Sequence, residues 1–329
     1  MMGRLATGRP VTGRPTVRGA PRGRQRQRGV AVVVAILIVA LAASTSTYLL
    51  WHQSLATRHV ENLTMRAQAD AIARAGAALA ASILNTDNRN VDHLQEFWAQ
   101  PLPPFQAETA MLSGALADEQ AKFNLNGIVA PTGIGPDAVQ LAVYARLLAT
   151  LQLPTDLAQT LLDWIDVDQE ASAPGGAEDV YYLTLEPAYR TPGARLAHVS
   201  ELRRIKGYTE AIIATLAPHV TALPTATRIN VNTASAEVIE AAVLGMTRGI
   251  AQQIVETRKT TPFLNVADLG KTLPEDLLKN AQAVMDVKTS YFSAEGTVLL
   301  GRITVTYRAL IDRSDGRWPR IIASHGESL

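Results

Sequence analysis

The residues of this chain best suited to chemistry are carboxylates gathered in one stretch. From Leu147 to Tyr189 there is no Lys, Arg or His, while Asp156, Asp163, Asp166, Asp168, Glu170, Glu178, Asp179 and Glu186 all fall within it. Its densest part reads DWIDVDQEASAPGGAEDVYY. Carboxylates this close, with no basic partner near in sequence, repel one another unless water or a cation neutralises them. Asp163 and Asp166 are three apart and share a helical face. Asp166-Val167-Asp168 and Glu178-Asp179 bracket a turn at Pro174-Gly175-Gly176. Hard oxygen donors on a flexible loop suit Ca2+. The loop is not an EF-hand, because Ala171 follows Glu170 where that motif needs Gly. Two other readings of the same residues stand beside the metal. One is a solvated acidic loop. The other is a paired-carboxylate hydrolase site, supported by spacing alone.

Other catalytic signals are thin. There is no Cys, and no GxSxG, HExxH or P-loop. His52, His59, His93, His198, His219 and His325 are scattered without ligand spacing. Trp98, Trp164 and Trp318 read as core or partner-facing aromatics, with Trp164 anchoring the acidic loop. No enzyme is expected, and a membrane-tethered hydrolase is the weak exception. The segment INVNTASAEVIEAAVLGMTRGIAQQIVETRKTTPFLNVADL resembles a helix-hairpin-helix unit, whose Gly turn offers amides to DNA phosphate. Leu244-Gly245-Met246 matches the start of the hairpin, but Thr247 replaces the usual second Gly. Between Arg228 and Lys288 seven Lys/Arg face seven Asp/Glu, so no basic footprint exists. A helical packing module is the favoured reading, and a membrane-anchored DNA-binding or uptake protein is the alternative.

The elements that must position these residues begin with a cationic leader. Residues 1–29 hold 8 Arg and no Asp, Glu or Lys. After Gly29 the chain runs VAVVVAILIVALAASTSTYLL, uncharged until beyond Trp51. Val30 to Leu50 is long enough to cross a hydrocarbon core of roughly 30 Å as a helix. Its Ser and Thr hydroxyls can bond back to helical carbonyls. Tyr48 and Trp51 suit the far interface, and the arginines favour a cytoplasmic amino terminus. Cleavage as a secretory signal, with AAST as the small-residue site, is the rival. Beyond the span the helix continues without Pro to Leu84, with Leu55, Leu63, Ile72, Leu79 and Ile83 at roughly helical spacing. Without the leader, 23 Lys/Arg stand against 30 Asp/Glu, so the remaining chain is acidic and unsuited to nucleic acid.

Past Asn85, Gln100-Pro101-Leu102-Pro103-Pro104 breaks any helix. Met111 to Val129 predicts one or two short strands with a turn at Asp118/Glu119. Helices are predicted over AVQLAVYARLLATL, over TDLAQTLLDWI with Thr155 or Asp156 as N-cap, in a pair over Ser200–Leu216, and on either side of Gly245. The end alternates as strands, with turns expected at Ala294-Glu295-Gly296 and Ser314-Asp315-Gly316. Helices inserted into an α+β framework follow from this order.

The segments LADEQAKFNLNGI, LLDWIDVDQEASAPGGAEDVYYLTLEPAYRTPGARLAHVSELRRIKG and INVNTASAEVI resemble the K-type minor pseudopilins of the type II secretion system, the general secretion pathway protein K family. The resemblance implies a type IV pilin-like α+β fold with a large helical domain inserted. Residues 1–29 would be a leader, 30–51 the transmembrane helix, and 52–110 the periplasmic helix and a linker. Residues 111–130 would give short strands, 131–282 the helical domain with the acidic loop, and 283–329 a closing β meander. A prepilin peptidase would cut after Gly29 and methylate Val30. The spine would include Val30, Val34, Leu37 and Leu41, with Val34 where most pilins carry Glu. An apolar residue there fits a tip subunit, which has no subunit above it to pair with. The family's calcium site maps onto Asp166, Asp168, Glu178 and Asp179, with Asp163 and Glu170 as weaker candidates. The implied partners are I- and J-type pseudopilins at a pseudopilus tip, the H-type and major pseudopilins, the prepilin peptidase and the inner-membrane assembly platform. The implied location is the inner membrane, single-pass, with the bulk of the chain periplasmic.

Overall fold

The computed structural model describes residues 26–107 and 109–328, with side chains from 29 to 324 apart from residue 108. Most of the predicted leader lies outside the described residues. The chain divides into a unit ending at Leu63 and a unit from Thr64 onward. Helix α1 (Arg26–Thr86) has no Pro to interrupt it. Its stretch from Gly29 is apolar and long enough to cross a membrane, with a mean hydropathy of 2.4 over the best window. Thr45 Oγ1 donates to Leu41 O at 2.7 Å and Thr47 Oγ1 to Ala43 O at 2.9 Å, which is how hydroxyls are tolerated there. Every side chain from Gly29 to Thr64 is exposed, including Val30, Val34, Leu37 and Leu41.

In the second unit α1 is followed by β1 (Leu102–Ala107) and β2 (Ala110–Asp118). The chain then passes through β3 (Phe123–Asn124), α2 (Ala138–Thr150), α3 (Leu157–Ile165), the one-turn α4 (Asp179–Tyr182) and α5 (Glu210–Leu216). It continues through β4 (Val220–Thr221), β5 (Ile229–Asn230), α6 (Ala236–Ala242), α7 (Arg248–Thr260), α8 (Glu275–Val284) and β6 (Met285–Asp286). Strands β7 (Tyr291–Leu300), β8 (Ile303–Asp312) and β9 (Arg320–Ser328) end it. One antiparallel sheet has the order β1-β2-β7-β8-β9. Adjacent strands β2 and β7 are thus separated in sequence by the whole helical block. Parallel pairs β3–β4 and β5–β6 are small staples outside that sheet.

The sheet holds α1 through small residues. Ala77, Ala80, Ala81 and Leu84 bury against Phe292, Ala294, Ala309 and Ile311, and Ala69 and Ala73 against Val298, Leu300 and Val305. Alanines let the helix lie close to the pleated face. Trp98 closes the end of this layer, edge-on to Phe292 with ring centroids 5.0 Å apart. The helical block has its own larger core, in which Phe123 and Tyr144 stack at 5.5 Å among Leu147, Leu161, Leu202, Ile239 and Ile254.

Several expectations need correction. The buried stripe of α1 is alanine, whereas Leu55, Leu63 and Leu79 are exposed and Ile72 and Ile83 only half-buried. The Pro-rich stretch contains edge strand β1, where missing N–H groups do not matter; the expected linker is therefore partly sheet. Phe123–Asn124 pairs with β4 and not with the main sheet. Ala294-Glu295-Gly296 is not a turn but the middle of β7, and the hairpin reverses at Gly301, with φ 59°. Gly296 stands opposite Gly114, where a Cβ on Gly114 would come within 2.8 Å of the Glu295 carbonyl oxygen. That glycine serves close approach. Asp156 stands at the N-cap of α3 without a capping side-chain bond.

Candidate functional site

The acidic loop begins where α3 ends. Six apolar residues of that helix are buried along with Thr160 and Asp163, so the loop starts from a fixed base. Trp164 sits edge-on to Tyr182 at 5.2 Å and to Tyr189 at 6.2 Å, clamping both ends of the loop onto the core. Asp163 is fully buried, and its carboxylate accepts Ser172 N at 3.1 Å. A Cβ on Gly176 would fall within 2.4 Å of both Asp163 Oδ2 and Ser172 O, at 2.2 and 2.3 Å, so only glycine closes the loop. Lys206 reaches in from beyond α4, donating to the carbonyl of Gly175 at 3.2 Å and lying 4.8 Å over the Tyr181 ring.

Inside this frame Asp166, Asp168 and Glu178 place one carboxylate oxygen each within 4.8 Å of one another. That span is about twice a Ca2+–oxygen distance of 2.3–2.6 Å. Asp166 and Glu178 are buried, and Asp166 Oδ1 and Glu178 Oε1 have no hydrogen-bond partner. Unpartnered buried carboxylate oxygens are rare because removal from water is expensive. Burial, then the charges of Asp168 and Asp163, push the Asp166 carboxyl up to about 6. Burial, then Asp163, Asp166 and Asp168, push Glu178 up to about 8. A hard divalent cation among these oxygens would reverse both shifts, and the oxygen-only donor set fits one.

Not all six expected ligands converge. Asp179 is spent elsewhere: its Oδ1 accepts Thr191 N at 2.9 Å and its Oδ2 pairs with Arg190 at 3.2 Å. Its role is to tie α4 to Arg190 and Thr191. Glu170 is exposed, and only its backbone N–H enters the loop, donating to Asp168 Oδ1 at 2.9 Å. Asp163 backs the cluster while bonded to Ser172. Ser172, Gly176, Thr191 and Lys206 support the site and are marked by no spacing rule.

The hairpin candidate lies elsewhere. Gly245 takes φ 86° between α6 and α7, but its turn packs on α8, where Asn280 Nδ2 donates to Leu244 O at 3.0 Å. Thr247 caps α7. Arg248 pairs with Glu237 and Glu240, Arg258 donates to Val231 O, and Arg146 donates to Ala241 O. These cations and this turn are occupied within the chain, which favours packing over phosphate binding.

A helix laid on an antiparallel sheet, with its apolar residues bare from Val30 to Leu50, is the architecture of a pilin-like protein with a membrane-anchoring type of helix. Comparison with known proteins narrows this class. The family described as "Type II secretion system (T2SS), protein K" matches over residues 121–225 and 229–288. Type II secretion system protein K of Pseudomonas aeruginosa is 37% identical over 82% of this chain and 84% of its own. Its namesakes from Pectobacterium carotovorum and Aeromonas hydrophila are 31% and 30% identical, over 77% and 73% of this chain and 83% and 79% of theirs. A chain in the crystal structure of the GspK-GspI-GspJ complex from enterotoxigenic Escherichia coli aligns with TM-score 0.69 and 25% identity, covering 82% of this chain and 99% of that one. The chain belongs to the type II secretion system protein K family.

Proposed function

We propose that this chain works as a minor pseudopilin that caps the pseudopilus tip together with I- and J-type pseudopilins and helps start pseudopilus assembly for export across the outer membrane. The observation that carries this reading is the alignment with nearly the whole of a chain solved in a K–I–J complex. The exposed apolar half of α1 supports it, because such a surface is stable only in lipid or against other helices. The prepilin peptidase would cut between Gly29 and Val30 and methylate Val30. Val34, Leu37 and Leu41 would then sit in the spine. The inner membrane would hold α1 with the second unit in the periplasm. One calcium ion, held by Asp166, Asp168 and Glu178 with Asp163 behind them, would order the loop from Gln169 to Ala177. The role is structural, with no reaction catalysed.

The test is made in the native host. Cells lacking this chain should accumulate exoproteins in the periplasm, and the restored chain should co-purify with the I- and J-type pseudopilins and show methylated Val30 at its amino terminus by mass spectrometry. Normal export without the chain would overturn the reading. An amino terminus near Thr45 would overturn the spine.

A further inference from the structure

Where the helical block joins the sheet, two carboxylates meet one guanidinium and two more stand close by. Arg313, just after β8, is 3% exposed. Its Nη1 donates to Asp87 Oδ2 at 2.9 Å, its Nη2 pairs with Asp92, and its Nε donates to Thr289 O at 3.0 Å. Asp92 is fully buried and accepts Thr289 N on its other oxygen at 2.7 Å. Asp87, Asp92 and Glu96 bring carboxylate oxygens within 4.8 Å of one another. Asp118, at the end of β2, is 5% exposed and close enough for its charge to act on Asp92. Three other charged groups nearby have partners. His93 lies 3.9 Å from Glu96, Arg89 donates to the carbonyls of Arg313 and Arg317, and Asp312 pairs with Arg320.

Asp87 and Glu96 keep some contact with water. Asp92 and Asp118 are buried, and the one cation at hand contacts Asp92 and Asp87 but not Asp118. Removing charge from water without full compensation is expensive, and a proton is the ready remedy. Asp118 accepts more donors than Asp92 but touches no cation, and burial raises its carboxyl as well. Its Oδ2 accepts Thr233 Oγ1 at 2.5 Å, Thr289 Oγ1 at 2.7 Å and Asn230 Nδ2 at 2.9 Å, and its Oδ1 accepts Gln120 N at 2.7 Å. Asp92 has one donor on each oxygen and a lone pair left on each. The same bonds seat the helical block, since Asn230, Thr233 and Thr289 belong to the block and Asp92, Asp118 and Arg313 to the α1–sheet layer.

We propose that Asp92 carries a proton in the folded chain up to neutral pH, making the seat of the helical block on the sheet a proton-sensitive joint. Burial pushes Asp92 up to about 7 against the pull of Arg313. A carboxyl raised in the folded state adds stability at low pH, which is lost as pH rises through the folded value. The joint is therefore tightest in mild acid and loosens above neutrality.

The test uses the full chain in detergent micelles, in a D166N/E178Q background so that the loop carboxylates do not titrate. Calorimetric unfolding near pH 5.5, in buffers of differing ionisation enthalpy, reads the net proton release, to which Asp118 adds and from which His219, lowered by burial, subtracts. Asp92→Asn should release about one proton fewer than its parent, and the same deficit should appear when Asp92→Asn is made in an Asp118→Asn chain. An undiminished release from Asp92→Asn overturns the proposal. Should Asp92→Asn fail to fold, infrared spectra of Asp118→Asn decide: a buried protonated carboxyl band present at about pH 6 and lost by about pH 9 supports it, and its absence at pH 6 sinks it.

Discussion

Stripping divalent cations from the chain lowers its melting temperature, and the loss deepens as pH rises from about 5 to about 8. The ion-free loop must hold Asp166 and Glu178 buried beside Asp163 and Asp168. Their carboxyls are pushed up to about 6 and about 8, so a proton substitutes for the metal in acid and is lost on the way to pH 8. Calcium keeps both ionised at no such penalty, so in the loaded chain these two carboxyls add no pH dependence across this window. At a free calcium concentration 100 times Kd the gain is about 2.7 kcal/mol, and in a domain of this size each kcal/mol moves Tm by roughly 2–4 °C. Scanning calorimetry with and without calcium at both pH values measures it. Gly176→Ala should remove the calcium effect, because a Cβ cannot coexist with Asp163 Oδ2 at 2.2 Å. A calcium-indifferent Tm at pH 8 would exclude an ion at this loop.

Phe292→Ala should lower stability by about 3–5 kcal/mol, as expected for emptying a fully buried aromatic site. Phe292 has no exposed surface, meets Trp98 edge-on and lies under the Arg313 guanidinium at 4.6 Å. Its loss removes the floor on which Ala77, Ala80 and Leu84 of α1 rest. By contrast Phe97, one residue before Trp98, is 75% exposed, and its replacement by Ala should change stability by no more than about 0.5 kcal/mol. Urea unfolding of the two variants reads the contrast, and equal midpoints would show that Phe292 does not anchor the layer.

Periodicity and composition made the membrane-length helix, α2, α3 and the acidic loop legible, because each is encoded by neighbours in the chain. The buried face of α1 was not, because alanine carries little hydrophobic signal and its burial depends largely on β7 and β8, more than 200 residues away. Gly296 reads locally as a turn residue, and only its register opposite Gly114 reveals its role. The division of labour within the acidic loop was equally hidden. Asp166 and Asp179 look alike in sequence, but Thr191 and Arg190 engage one and leave the other bare. The Asp92–Arg313 pair spans 221 positions, so no motif spacing could announce it.

The sheet's interrupted strand order has a kinetic corollary. Strands β2 and β7 lie side by side, but most of the chain is synthesised between them, and closing so long a loop from a coil is slow. A block that collapses first around its own aromatic and leucine centre brings the two strand ends together, with Thr289 delivered to Asp118. Zippering of the ladder then becomes a local event. Pulse-labelled hydrogen exchange should find amides of α2, α6 and α7 protected before those of β7; the reverse order would mean that the ladder nucleates folding.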